Sequence, residues 1–175
     1  YQVDCDAEIV LSAGAIGSPH ILNLSGIGNA NDLTKKSISV IKNLPGVGKN
    51  LQDHVQARML YRCTKPITLN DQVRNPLKKL KMAFDFIFNR SGPLTIGAGQ
   101  VGIFVRALPE STQPDTQFHF MPFSADKPGE GLHSYSGFTS TVCQLRPESR
   151  GEIKLKSPYF TDPPAIYPNY FSEDL

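Results

Sequence analysis

Residues 8–28, EIVLSAGAIGSPHILNLSGIG, place the strongest constraint on the fold. The run EIVLS is short, nearly all apolar and followed by glycine, which is how a strand buried on both faces of a parallel sheet reads. Gly14 and Gly17 then turn the chain. Ser18 suits a helix cap and Pro19 the first helical position. Ile21, Leu22 and Leu24 supply the apolar contacts of that helix, and Gly26 ends it in the left-handed conformation. A strand–glycine–helix unit collects unpaired N–H groups and a helix N-terminus at the carboxyl end of a strand, where phosphates bind. GAIG by itself is neither GxGxxG nor a Walker loop, so the turn alone reads equally as a plain connection or as a ligand site.

Asn31 or Asp32 is expected to cap a second short helix. ISVIKNL (38–44) reads as a brief strand, PGVGKNLQDH (45–54) as a glycine-rich loop, and residues 55–61 as a strand. In NPLKKLKMAFDFIFNRSG, Leu77, Leu80, Phe84, Ile87 and Phe88 share one helical face, with Lys78, Lys79 and Lys81 mostly elsewhere. A basic amphipathic helix of this kind covers a sheet or lies on a membrane; covering a sheet is the reading preferred here. Strand-like runs follow at 101–107, 116–123, 137–145 and 151–157, joined mostly by turns, and residues 129–137 read as a mobile loop. Successive strands without helices between them argue for an antiparallel sheet. The expected class is α+β: the end of a parallel α/β domain over residues 1–55, then an antiparallel sheet with flanking helices over 56–175.

A formal net charge of +2, without a block of like charges, argues against nucleic acid as a partner. Cys5, Cys63 and Cys143 are scattered and form no metal-ligand spacing, so no metal site is expected and a reducing compartment fits. No apolar run is long enough to span a bilayer. Tyr1 at the start, and NYFSEDL with Ser172 as a helix cap at the end, read as cuts through a longer protein.

GAIGSPHILNLSGIG followed by LPGVGKNLQDH closely resembles the second signature of the glucose–methanol–choline (GMC) flavoprotein oxidoreductases. Gly14, Ala15, Ser18, Pro19, Ile21, Leu22, Ser25, Gly26, Ile27 and Gly28 all match it. LRPESRGEIKLKSPYFTDPPAIYPNYFSED resembles the start of that family's C-terminal region. With FHFMPF and NLQDH, the chain is most similar to the choline and alcohol dehydrogenase branch. The resemblance covers essentially the whole chain and is weakest over 64–115 and 124–136. It implies a fragment of a two-domain α/β flavoprotein. Residues 1–55 would close the FAD-binding domain, and 56–175 would form an incomplete substrate-binding domain. It further implies FAD as cofactor and oxidation of a primary alcohol, choline or aliphatic, to an aldehyde. The electron acceptor would be of quinone type or oxygen. The expected location is cytoplasmic or peripheral to the inner membrane. The family's GxGxxG turn is not in this sequence, and its catalytic His–His or His–Asn pair lies beyond Leu175. No catalytic residue is therefore assigned here, and the fragment alone is expected to be inert.

By the same resemblance, Ser12, Ala13 and Gly14 end a strand lying against the ADP half of FAD, touching it through backbone. Asp53 and His54, with Asn50, fall in a loop near the cofactor or the domain junction; the alternative is a tight turn in which Asp53 accepts N–H bonds. The antiparallel sheet of this family roofs the flavin. Along 116–123, Gln117, His119 and Met121 alternate with Phe118, Phe120 and Pro122, so one set faces the pocket. His119 could polarise an alcohol or be structural, and Arg146 could bind an anionic substrate or form an ion pair. Phe118, Phe120, Phe123 and Tyr135 are candidates for an aromatic cage around a trimethylammonium group. The rival readings are a non-catalytic ligand- or partner-binding α+β module, and a degenerate homologue with the fold kept and the chemistry lost.

Overall fold

The computed structural model describes residues 3–127 and 129–173. The chain forms two compact units, one of Tyr1–Asp53 with Pro147–Leu175 and one of His54–Arg146. The sequence leads one to expect 56–175 as one stretch; instead the residues from 147 onward group with the first unit.

In the first unit α1 spans Gly14–Leu24, β1 Ile27–Gly28, α2 Ala30–Lys35, β2 Lys42–Asn43 and β3 Lys49–Leu51. The expected strand over 8–12 is not formed: residues 8–13 lack regular structure, and Ile9 and Val10 are each 80% exposed. A parallel strand exists only through its neighbours' hydrogen bonds, and no described residues pair with this segment. Helix α1 begins at Gly14, a turn earlier than expected. Ser18 is therefore inside the helix, where its Oγ accepts the Ala13 N–H at 3.0 Å, and Pro19 is interior as well. Gly26, with φ of 79°, ends the helix as expected. The cap of α2 is Asn29, whose Oδ1 accepts the N–H groups of Asn31 and Asp32 at 3.0 and 3.2 Å; neither of those two residues is the cap. Strands β1 and β2 pair in parallel, Ile27 opposite Lys42 and Gly28 opposite Asn43. That small ladder is what forms of the strand expected over 38–44.

Strands β8 (Gly151–Lys154) and β9 (Ala165–Tyr167) join β3 in an antiparallel sheet ordered β3-β8-β9. The turn before β3 needs glycine. Gly48 has φ of 78°, its carbonyl accepts the Ile153 N–H at 2.6 Å, and a Cβ there would lie 2.3 Å from the Ile153 carbonyl oxygen. Leu33 and Ile153 are buried in this unit.

The second unit carries β4 (Gln56–Arg62), α3 (Leu69–Arg74), α4 (Pro76–Asn89), β5 (Val101–Val105), β6 (Thr116–Met121) and β7 (Gly137–Gln144). Its four strands form one antiparallel sheet in the order β4-β7-β6-β5. Along β7 burial alternates, with Thr139, Thr141 and Cys143 inside. Thr68 and Asp71 cap α3 reciprocally. Asn75 caps α4 through the N–H groups of Leu77 and Lys78. The face of α4 expected to cover a sheet is exposed instead, and its one buried residue is Met82. The segment 129–137, expected to be mobile, is held at many points. Asn70 Nδ2 donates to the His133 carbonyl at 3.0 Å, Arg74 to the Ser134 carbonyl, and Ser136 Oγ to the Lys65 carbonyl at 2.9 Å.

Candidate functional site

Ser12, Ala13 and Gly14 come together at the start of α1. All three are exposed, and Gly14 has φ of 76° with open space where a Cβ would stand. Helix α1 has neither a side-chain cap nor an acid in its first turn. Its first N–H groups and the positive end of its dipole thus remain available to an anion. A left-handed glycine against open space, leading into an uncapped helix, fits the close backbone approach of a phosphate-bearing cofactor such as FAD. Ser18 turns its hydroxyl back to the Ala13 N–H, so it braces the turn.

Asp53 accepts a hydrogen bond from the Tyr170 hydroxyl. That bond, followed by burial and the carboxylate charge, raises the Tyr170 pKa above its ordinary value. His54 Nε2 lies 3.1 Å from the Leu145 carbonyl oxygen. Asp53 is thus bonded within the first unit and His54 within the second.

Gln117 and His119 share one face of β6. His119 lies opposite Gly102 of β5 and Thr141 of β7, in the middle of the sheet. Glycines border it: a Cβ on Gly99 would approach its Nδ1 no closer than 3.9 Å. Among the described residues its imidazole makes no side-chain hydrogen bond, and the residue is half-buried. Gln117 Oε1 lies 3.8 Å from Cys143 Sγ. Arg146 is exposed and donates to Gln113 Oε1 at 2.5 Å, a neutral partner.

The opposite face of the sheet carries an aromatic stripe, in which Phe118 and Phe120, expected on that face, are joined by Tyr61 and Phe138, which the sequence does not single out. Tyr61 stacks on Phe138 at 4.8 Å between centroids, and Phe120 meets Phe138 at 5.1 Å. Phe118 shares that face by alternation. Tyr135 belongs elsewhere: it stacks on His133 at 4.6 Å with Arg62 over its ring at 5.3 Å. The four aromatics considered for a cage are therefore not assembled as one. Tyr61 and Phe138 could have been found only from the β4–β7 register, which brings residues 77 positions apart into contact.

Two further clusters look chemical. His133 places Nδ1 3.1 Å from Ser124 Oγ and Nε2 3.1 Å from Asp126 Oδ1. Ser124 has no exposed surface and its Oγ also accepts from Asn70, so no substrate can reach it. A cavity of about 390 Å³ in the first unit is rimmed by Lys35, Lys36, Lys49, Lys154 and Lys156. Glu152 pairs with both Lys49 and Lys154, and Lys36 Nζ donates to the Lys156 carbonyl, so three of the five ammonium groups have partners within the cluster. Among the described residues no group of His, Cys, Asp and Glu is arranged to hold a metal ion.

Residues 3–56 match the family model for GMC oxidoreductase. The chain is 40% identical over 167 residues to mitochondrial choline dehydrogenase of Mus musculus, covering 95% of this chain and 28% of that protein. It is 38% identical over 166 residues to an alcohol dehydrogenase [acceptor] of Pseudomonas putida, covering 95% of this chain and 30% of that one. Among solved structures, formate oxidase of Aspergillus oryzae, studied for modification of its FAD, superposes with a TM-score of 0.82 at 26% identity. That match covers 96% of this chain and 34% of the oxidase. The chain thus spans about three tenths of the length of the curated relatives it matches.

Proposed function

Because the chain belongs to the GMC oxidoreductase family, whose members bind FAD, we propose that the whole protein oxidises a primary alcohol, choline or an aliphatic alcohol, to an aldehyde. The observation that carries this reading is the match to choline and alcohol dehydrogenases along 95% of the chain rather than over the signature alone. FAD, when bound, supplies the hydride acceptor, and electrons leave to a quinone-type acceptor or to oxygen. Within this chain, backbone N–H groups at Gly14 and the first turn of α1 would bind the phosphates of the cofactor. Asp53 and Tyr170 would hold the nearby loop. His119 would hydrogen-bond the substrate hydroxyl and orient it, with Gln117 beside it on β6. Arg146, already engaged by Gln113, would serve best as a positioning residue.

The test uses protein made from the full reading frame. A visible flavin spectrum that bleaches under anaerobic conditions with one alcohol, and not with others, would support the reading and identify the substrate. A colourless protein that also fails to take up added FAD would overturn it. In an active enzyme, His119→Ala is expected to lower kcat/KM about tenfold, the worth of one hydrogen bond, while the flavin spectrum stays unchanged.

A further inference from the structure

The cavity of about 390 Å³ in the first unit is lined by α2, by β8 with the residues that follow it, and by the neighbouring strands β3 and β9. The strand register sets Lys49, Glu152 and Tyr167 in one row across the sheet, and Lys154 beside Ala165 in the next. Directly paired residues put their side chains on the same face, so two ammonium groups, one carboxylate and a phenol ring stand together there. Helix α2 adds Asp32, Lys35 and Lys36, and Lys156 follows β8. The apolar part of the lining is firm: Leu33 and Ile153 are 1% and 3% exposed, and Val47 and Leu155 are half-buried. Five ammonium groups thus face only two carboxylates, those of Asp32 and Glu152. Glu152 takes up Lys49 and Lys154, and Lys36 is spent on the Lys156 carbonyl. Among the described residues, the ammonium groups of Lys35 and Lys156 enter no ion pair or hydrogen bond.

We propose that this cavity binds an organic phosphate with a compact apolar body. Its volume falls in the range of small-molecule sites, and such sites join an apolar lining to a few polar groups that fix orientation. Lys35 and Lys156 supply charge-assisted hydrogen bonds to the phosphate oxygens, and Leu33, Val47 and Tyr167 receive the apolar body. The excess of positive charge suits a dianion. Like charges gathered over an apolar lining repel one another, and a bound anion removes that cost. Every lining residue belongs to the first unit, so the site draws on nothing in the second. Helix α1 contributes only Asn23, near its C-terminal end, so the site is distinct from the turn at Gly14.

The experiment is calorimetric titration of the full-length protein, as purified, with phenyl phosphate and separately with inorganic phosphate. Phenyl phosphate should bind and raise the melting temperature, and inorganic phosphate should bind about tenfold more weakly or less, because it has no apolar body to bury. The double variant Lys35→Gln/Lys156→Gln should weaken phenyl phosphate binding about tenfold or more. Without ligand its melting temperature should equal or exceed the parent's, since both lysines are exposed and neither is paired. Tyr167→Ala should weaken phenyl phosphate binding and leave inorganic phosphate unaffected. Absence of binding to the parent would overturn the proposal. So would a double variant that binds undiminished, which would place the ligand elsewhere, including the turn at Gly14, and so would inorganic phosphate binding as tightly as phenyl phosphate. The inference rests on the lysines of the first unit and not on alcohol oxidation. Titration and flavin bleaching are separate readouts, so either reading can fail alone.

Discussion

Asn70 has no exposed surface, and all its polar atoms are used. Its Nδ2 donates to the Ser124 carbonyl, the Ser124 hydroxyl and the His133 carbonyl, and its Oδ1 accepts the Ser124 N–H at 3.0 Å. Asn70→Ala would leave the Ser124 N–H unpartnered in a buried site, and the expected loss is about 3 kcal/mol, read from urea unfolding. Gly48 makes a different demand. With φ of 78° and the Ile153 carbonyl 2.3 Å from where a Cβ would sit, Gly48→Ala must strain the turn or part β3 from β8. A loss of roughly 2 kcal/mol or more is expected by the same measurement. The two residues differ in legibility. A glycine after a helix, such as Gly26, declares its left-handed turn locally. Asn70 looks like any helix-surface asparagine, because its partners are 54 and 63 positions away.

The connection between β5 and β6 is clasped by Asp115. Its carboxylate accepts the N–H groups of Ala107 at 2.8 Å and Leu108 at 3.2 Å, and the Thr116 hydroxyl at 2.9 Å. Hydrogen bonding from the Ser111 hydroxyl first, and from the Ala107 N–H next, holds its pKa below the ordinary carboxylate range. The carboxyl is thus more acidic in the folded protein than unfolded. Its contribution to stability is complete above the unfolded value, about pH 4, and is lost as pH falls toward the folded one. Melting temperature should drop on acidification below that point, and Asp115→Asn should flatten this acid limb. At this scale periodicity served well where an element meets its own sheet or caps itself. Strand β4 and helix α4 lie close to where their patterns put them, and α3 could have been read from the Thr68–Asp71 pair. The segment 8–12 has the composition of a buried strand and forms none, since a strand is a relation between segments.

The chain as a whole leaves its first unit after Asp53 and returns at Pro147. The Asp53–Tyr170 hydrogen bond ties the exit of that unit to its last residues. Because Tyr170 is less acidic folded than unfolded, this tether contributes fully below the unfolded tyrosine pKa, about 10, and is lost as pH rises through the folded value. Tyr170→Phe should therefore reduce stability at neutral pH and remove that part of the alkaline loss, measured by melting across an alkaline series. The exposed apolar side chains of Ile9, Val10, Leu77, Phe88 and Phe160 predict poor solubility for residues 1–175 made alone. Light scattering should rise on expression of that segment, and a sharp melt with dispersed amide resonances would count against the expectation.

The sequence by itself determined the resemblance to the GMC family, the α+β class, the Gly26 turn and the antiparallel character of the larger sheet. Each is written in local pattern: glycine where φ must be positive, alternation along strands, and a signature with fixed spacing. Only the tertiary structure decided that β8 and β9 join β3 instead of extending the larger sheet. It also decided that Tyr61 and Phe138 form an aromatic stripe away from His119, and that the apolar face of α4 points outward. Those outcomes depend on which distant segments pair and which face a neighbour covers, and the free energy of such contacts is shared between residues far apart in sequence, where no local pattern records it.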